Sequence, residues 1–208
     1  MKAENPLIKA MTILEFDEIE KYREVKEWLI NLKPSELMEK KKRAVDIVWD
    51  FLEYCYVLGL RTATEEVGQL AEDVKPFLPK DYDDLTDEQK EEADTEIYRK
   101  FDNKDFRDRV IQYAEMGDAS SIVRVVETDG NRVYNYGGLN GATMAGAKYK
   151  TWNTMLDEKV RDTHDYLEGI TVPIQDKFVT YDGDEARFPG DFSNPSNSIN
   201  CRCGISYS

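Results

Sequence analysis

Ile122-Val123-Arg124-Val125-Val126, followed by Asp129-Gly130 and then Arg132-Val133-Tyr134, is the stretch on which the reading of this fold turns. Asp-Gly between two apolar runs is a strong hairpin signal, because both residues tolerate the positive φ that a tight turn demands. Yet Ile122, Val125, Val126, Asp129, Val133 and Tyr136 also recur at spacings of three and four, which is one face of a helix. Local sequence leaves both readings open, so the flanking segments have to be taken first.

Upstream, the first hundred residues carry helical periodicity. Phe16, Ile19, Tyr22, Val25, Trp28 and Leu29 gather on one face. Lys33-Pro34-Ser35 breaks that helix, with Ser35 placed to cap the next. The second helix carries Leu37, Met38, Ala44, Val45, Val48, Phe51, Leu52 and Cys55 inward, and Gly59 stands where a helix-ending glycine is wanted. Thr62-x-x-Glu65 is a capping-box pattern that opens a third helix, with Val67, Leu70 and Val74 inward. Thr86-x-x-Gln89 caps a helix to about residue 100. Asn103 precedes another with Phe106, Val110, Ile111 and Tyr113 inward, closed by Gly117.

Charge is unevenly placed along this pattern. The chain of 208 residues has a net charge of −14, of which residues 1–120 hold −11 (19 basic, 30 acidic). Residues 72–96 concentrate eleven Asp or Glu against three Lys, which reads as a solvated helix face or as a docking surface for a basic partner. Duplex DNA is bound chiefly by Lys and Arg displacing counterions, so so acidic a chain is expected to touch DNA only weakly. No apolar run approaches a membrane span and no secretory signal opens the sequence, which places synthesis in a cytoplasm and no part in a membrane. Three cysteines, Cys55, Cys201 and Cys203, make no disulfide framework.

Downstream, from residue 148, the pattern changes to short extended pieces. Tyr149 to Thr154 reads as a strand and Asp157 to Leu167 as a short helix, with Asp157 and Arg161 one turn apart and able to pair. Gly169 ends that helix. Strand-like pieces follow at Ile170–Ile174 and Lys177–Tyr181. A loop rich in Asp, Gly, Pro, Ser and Asn runs from Asp182 to Asn200.

Strung together, this tail contains Lys150-Thr151-Trp152-x-Thr154, then Asp157-x-x-Val160-Arg161-Asp162-x-His164, Leu167-x-Gly169, Pro189-Gly190-Asp191 and Asn200-Cys201-Arg202-Cys203. That order and spacing resembles the Mu protein F-like domain of phage head morphogenesis proteins. The match is strongest over about 148–208 and extends more weakly back to about 118, through Arg124-Val125-Val126-Glu127 and Tyr136-Gly137-Gly138. Relatives read as helical there, so the resemblance implies that 119–146 is mainly helix, with Asp129-Gly130 as a departure. The expected fold is α+β. A helical portion spans 1–117, and a small mixed domain with short strands, with a remote likeness to ADP-ribosyltransferase folds, spans 118–208.

The resemblance also implies a function. It is that of a minor capsid protein of a tailed phage or prophage, inside the head near the portal vertex, active in head assembly or DNA delivery. The implied partners are the portal protein and other capsid or scaffold proteins, met in the host cytoplasm during assembly. The rival from a different class is a phage-encoded effector enzyme on an ADP-ribosyltransferase-like scaffold. Trp152, Asp157, Arg161, His164, Gly169, Asn200, Cys201, Arg202 and Cys203 form the family-motif core.

His164 is the only histidine in the chain. In many relatives Arg161-x-x-His164 is replaced by Cys-x-x-Cys while the closing Cys-Arg-Cys stays, a substitution pattern suited to zinc. Arg161 cannot bind a metal, so a site here would need a fourth ligand such as Asp162, Asp165 or water. The plainer reading has His164 hydrogen-bonded to the closing loop and both cysteines packed in a small core. A Cys–His nucleophile lacks an orienting partner. The glycine-rich Tyr136-Gly137-Gly138-Leu139-Asn140-Gly141 lacks the lysine of a phosphate-binding loop and reads as a flexible joint. The sequence therefore assigns no catalytic residue, no metal and no cofactor.

Overall fold

The computed structural model describes residues 16–70, 85–101 and 103–208. A 3-10 turn at Phe16–Glu18 is followed by six helices: α1 (Glu20–Ile30), α2 (Pro34–Glu39), α3 (Lys41–Leu70), α4 (Asp87–Lys100), α5 (Asn103–Glu115) and α6 (Ala119–Met144). Short elements then alternate: β1 (Tyr149–Asn153), α7 (Asp162–Asp165), β2 (Thr171–Pro173), β3 (Phe178–Val179), β4 (Glu185–Ala186), α8 (Pro195–Ser198) and β5 (Gly204–Tyr207). The architecture is α+β, as expected. The acidic stretch is described only from residue 85 onward, and Val74 lies outside the described residues.

The described residues fall into two compact units, and the chain passes from one to the other within α3 and within α6. The helical unit takes in residues 16–55 and 85–130. Its core takes up residues of the predicted stripes, with Tyr22, Val25 and Leu29 of α1, Val48, Phe51 and Leu52 of α3, and Phe106 and Val110 of α5 all buried, and adds Ile97 of α4. Met38 departs from its stripe and is exposed. Trp49 stacks near Phe106, with ring centroids 5.7 Å apart, and its indole N–H donates to Asp94 at 2.9 Å.

Local chemistry sets the helix ends here. The Thr86 hydroxyl accepts the Gln89 N–H at 3.3 Å while the Gln89 side chain accepts the Thr86 N–H at 3.0 Å, the reciprocal box its spacing predicts. Gly117 adopts φ +67° and lets the Asp118 N–H reach the Tyr113 carbonyl, at 2.9 Å, closing α5. The start of α2 differs from expectation. Pro34, not Ser35, opens it, because a first-turn N–H would be unpaired anyway, and the Glu36 carboxylate accepts the Lys33 N–H at 2.9 Å.

The deciding stretch is helix. Ile122, Val125 and Val126 are buried, Asp129 is taken by Arg109 at 3.0 Å, and Gly130 makes room for two rings. A Cβ at Gly130 would meet Phe51 at 3.0 Å and Phe16 at 3.1 Å. Packing, not a turn, is what the glycine serves.

The mixed unit takes in 56–70 and 131–208. Two sequence expectations fail in its helices. Gly59 does not end a helix and Thr62 does not start one, because α3 runs unbroken for 30 residues. The Thr62 hydroxyl instead donates back to the Leu58 carbonyl, at 2.8 Å. Gly59 is there because α6 crosses over it: a Cβ would lie 2.0 Å from the Tyr134 carbonyl oxygen. The approach is reciprocal, since a Cβ on Gly137 would sit 2.1 Å from the Tyr56 oxygen and one on Gly141 2.2 Å from the Leu60 oxygen. The Tyr136–Gly141 segment is thus a backbone-to-backbone helix crossing and not a joint.

Beyond α6, a three-stranded antiparallel sheet has the order β2-β1-β5, with Trp152 opposite Ile205 and Lys150 opposite Val172 and Tyr207. A separate hairpin pairs β3 with β4. The predicted 182–200 loop therefore contains β4 and α8. Its Pro189-Gly190 corner is a turn with Gly190 at φ +87° and the Asp191 N–H on the Phe188 carbonyl at 3.1 Å.

Candidate functional site

Alternation along β1 puts Trp152 inward, where it is fully buried. Its ring meets Phe178 edge-on at 5.1 Å, His164 edge-on at 5.5 Å and Phe192 at 5.6 Å. His164 stacks on Phe192 at 5.3 Å and is 1% exposed. It is carried by α7, one turn of helix whose N-cap is Arg161.

The expected helix over Asp157–Leu167 is confined to that single turn. Asp157 does not pair with Arg161, as their spacing suggested. It takes a bidentate bond from Arg202, at 2.7 and 2.9 Å, while Arg161 donates to the Ile199 carbonyl. A parallel two-point contact with a guanidinium beats a monodentate i,i+4 pair. This bond draws the Asp157 carboxyl below its usual range.

Arg202 facing outward leaves its neighbours facing inward, since residues i and i+2 of an extended segment share a side. Cys201 and Cys203 are each 3% exposed, and both sulfurs look at the same imidazole nitrogen. Cys201 Sγ lies 3.6 Å and Cys203 Sγ 3.5 Å from His164 Nδ1. The two thiols act as a pair: the hydrogen bond that Cys203 offers holds Cys201 well below the usual thiol range and holds Cys203 well above it.

The backbone of this segment is held from behind by α6. Asn131 Nδ2 donates to the Cys201 carbonyl at 2.9 Å and to the Cys203 carbonyl at 3.3 Å, and Asn135 Nδ2 reaches the Cys203 carbonyl at 3.3 Å. Asn200 enters the turn at φ +55°, a conformation its side chain type tolerates. Gly169, at φ +72°, sends its N–H to the Trp152 carbonyl at 2.9 Å.

Of the residues singled out in the sequence, Trp152, His164, Cys201 and Cys203 come together in one buried cluster. Asp157 and Arg202 pair at its edge, and Arg161, Gly169 and Asn200 shape the backbone around it. Asp162 and Asp165, weighed as further ligands, are exposed and outside the cluster.

Several contributors were not legible beforehand. Asn131 and Asn135 form an i,i+4 pair that has meaning only once 119–144 is a helix. Asp184 organises the long loop, accepting from Ser193 Oγ at 2.8 Å, Asn197 Nδ2 at 2.9 Å and the Asn194 N–H at 3.3 Å. Asn197 in turn accepts from the Thr163 hydroxyl, at 3.0 Å, which ties that loop to α7. Lys150 is buried beside this region, its ammonium on the Arg187 carbonyl at 2.7 Å and 5.2 Å from the centre of the Phe178 ring. Burial lowers it to about 8.

Chemically, the cluster offers two thiols and an imidazole sealed under aromatic rings. A nucleophile needs an approach path for its substrate, and these groups have almost no exposed surface. The arrangement suits cohesion or metal ligation better than attack on a substrate.

No solved structure matches the chain. Over 83 residues, 38% of its length, the chain is 30% identical to "Minor head protein GP7" of Bacillus phage SPP1. The match covers 27% of that protein, so the chain spans about a quarter of the length of this curated relative. The model of the family described as "Phage Mu protein F like protein" matches residues 86–206, more than half of the chain. The chain belongs to the Phage Mu protein F like family.

Proposed function

We propose that this protein is a minor head protein of a tailed phage or prophage, acting inside the head through protein contacts near the portal vertex. The observation that carries the reading is the family match over residues 86–206, joined to the likeness to a minor head protein. The site geometry supports a non-enzymatic role, because the family-motif residues are spent on cohesion: Trp152, His164, Cys201 and Cys203 are buried, and Arg202 is engaged by Asp157. On this reading the motif residues are the structural core of the mixed domain, within 118–208, and the helical portion, within 1–117, makes the main assembly contact.

The contact surface we favour is the outer side of α4, where Asp87, Glu88, Glu91 and Glu92 are all exposed. Such a face fits a basic patch on the portal or shell and is repelled by packaged DNA. No helix among the described residues is long and apolar enough to cross a membrane.

The test is co-sedimentation of the full chain with portal-containing procapsids at low and high salt. Binding that weakens with salt and falls when those four carboxylates become amides is expected. Undiminished binding of the amide variant moves the contact off α4, and no binding at all removes the assembly role. The rival, an effector on an ADP-ribosyltransferase-like scaffold, predicts host-protein modification in infected cells without association with procapsids.

A further inference from the structure

We propose that His164, Cys201 and Cys203 bind one zinc ion through Nδ1 and the two Sγ atoms, forming a structural metal site in the mixed unit. Their three donor atoms lie within 4.8 Å of one another, and all three residues are buried. They form the one such grouping of buried cysteine and histidine among the described residues.

The distances argue for a common point of ligation. Tetrahedral zinc with bonds of about 2.3 Å to sulfur and about 2.1 Å to nitrogen has a nitrogen–sulfur edge of about 3.6 Å. The two observed edges are 3.5 and 3.6 Å. A lone hydrogen bond explains one such contact, but a single ring nitrogen has one lone pair or one proton and cannot serve both sulfurs well. A cation between the three serves all of them. Imidazole and thiolate together also select zinc over the hard cations, which prefer oxygen.

The scaffold holds these ligands independently of any ion. Asn131 and Asn135 fix the Cys201 and Cys203 carbonyls, Arg202 is turned away onto Asp157, and Phe192 and Trp152 set the plane of the imidazole. His164 Nε2, buried and without a hydrogen-bond partner, is the nitrogen left to carry the proton when Nδ1 ligates. Zinc takes both sulfurs as thiolates, so any proton still held on either cysteine leaves as the ion enters. Three protein donors leave one coordination position to a solvent-derived ligand, since no fourth Asp, Glu, His or Cys among the described residues joins the group. The ion would fasten the segment leading into β5 to α7.

The experiment uses the full chain, purified reduced and without chelator. Elemental analysis is expected to find one zinc per chain. Protein stripped of metal and titrated with cobalt(II) is expected to develop thiolate-to-cobalt charge-transfer absorption and the intense visible bands of tetrahedral coordination, lost on adding zinc. Cys201→Ser, Cys203→Ser and His164→Gln should each weaken cobalt binding by on the order of 100-fold or more, whereas Cys55→Ser should leave it unchanged. If the ligand variants fail to fold, the wild-type stoichiometry and spectrum still decide. Folded wild-type protein that holds no zinc and gives octahedral or no cobalt bands overturns the proposal, as does a spectrum without sulfur ligation.

Discussion

Glu66 is the residue whose replacement tests the packing of the mixed unit most sharply. It lies on α3 facing β5, where one carboxylate oxygen accepts the Tyr207 N–H at 3.1 Å and the other is buried without a partner. Both line a cavity of about 10 Å³ together with Gly59, Thr62, Tyr134 and Gly138. Burial raises its carboxyl from 4.5 to about 7, against the opposing pull of the Tyr207 N–H. A carboxyl that binds its proton more tightly when folded favours the native state fully below the unfolded value of 4.5. That advantage is lost as pH rises through about 7. The span corresponds to about 3 kcal/mol.

Glu66→Gln keeps a side-chain oxygen to accept the Tyr207 N–H and cannot ionise. The variant should match wild type near pH 4.5 and exceed it by about 2–3 kcal/mol at pH 8. Urea unfolding from pH 4.5 to 8 reads this directly. Parallel pH profiles for the two proteins, or a variant weaker than wild type at pH 8, would refute the burial argument.

Other expectations follow from the same contacts. Gly137→Ala places a methyl 2.1 Å from the Tyr56 carbonyl oxygen, so the α3–α6 crossing must open. Thermal or urea unfolding should register a loss of about 3 kcal/mol. With a net charge of −14, the isolated protein should bind duplex DNA weakly at physiological salt. A gel-shift titration showing tight, steeply salt-dependent binding would oppose the acidic-surface reading.

What the sequence made legible were features whose cause is local. The Thr86–Gln89 box, the Gly117 stop and the apolar faces of α1 and α5 all rest on spacing within one element. The Trp152 strand was legible as a short extended piece, and the packing of Cys201 and Cys203 in a small core followed from the family resemblance. What stayed hidden was tertiary. Gly59 looked like a helix end and Gly137–Gly138 like a joint, because a glycine signals freedom of backbone until a second helix is seen lying against it. Asp157 chose Arg202, forty-five residues away, over the neighbour that spacing offered. The role of Asp184 could not be read from spacing, because its partners Ser193, Asn194 and Asn197 lie nine to thirteen residues away. The hairpin signal at Asp129-Gly130 was outweighed by burial of Val125 and Val126 and by the Arg109 ion pair, all long-range.

The central claim is that this family member is built into the phage head. Its most direct test is quantitative mass spectrometry of purified, nuclease-treated virions from cells producing the phage that encodes it. The account predicts peptides from both the helical and mixed units in the particle, at a few copies per portal, and enriched in heads over tails. Absence of the protein from infectious particles, with abundant soluble protein in the same infected cells, would contradict it.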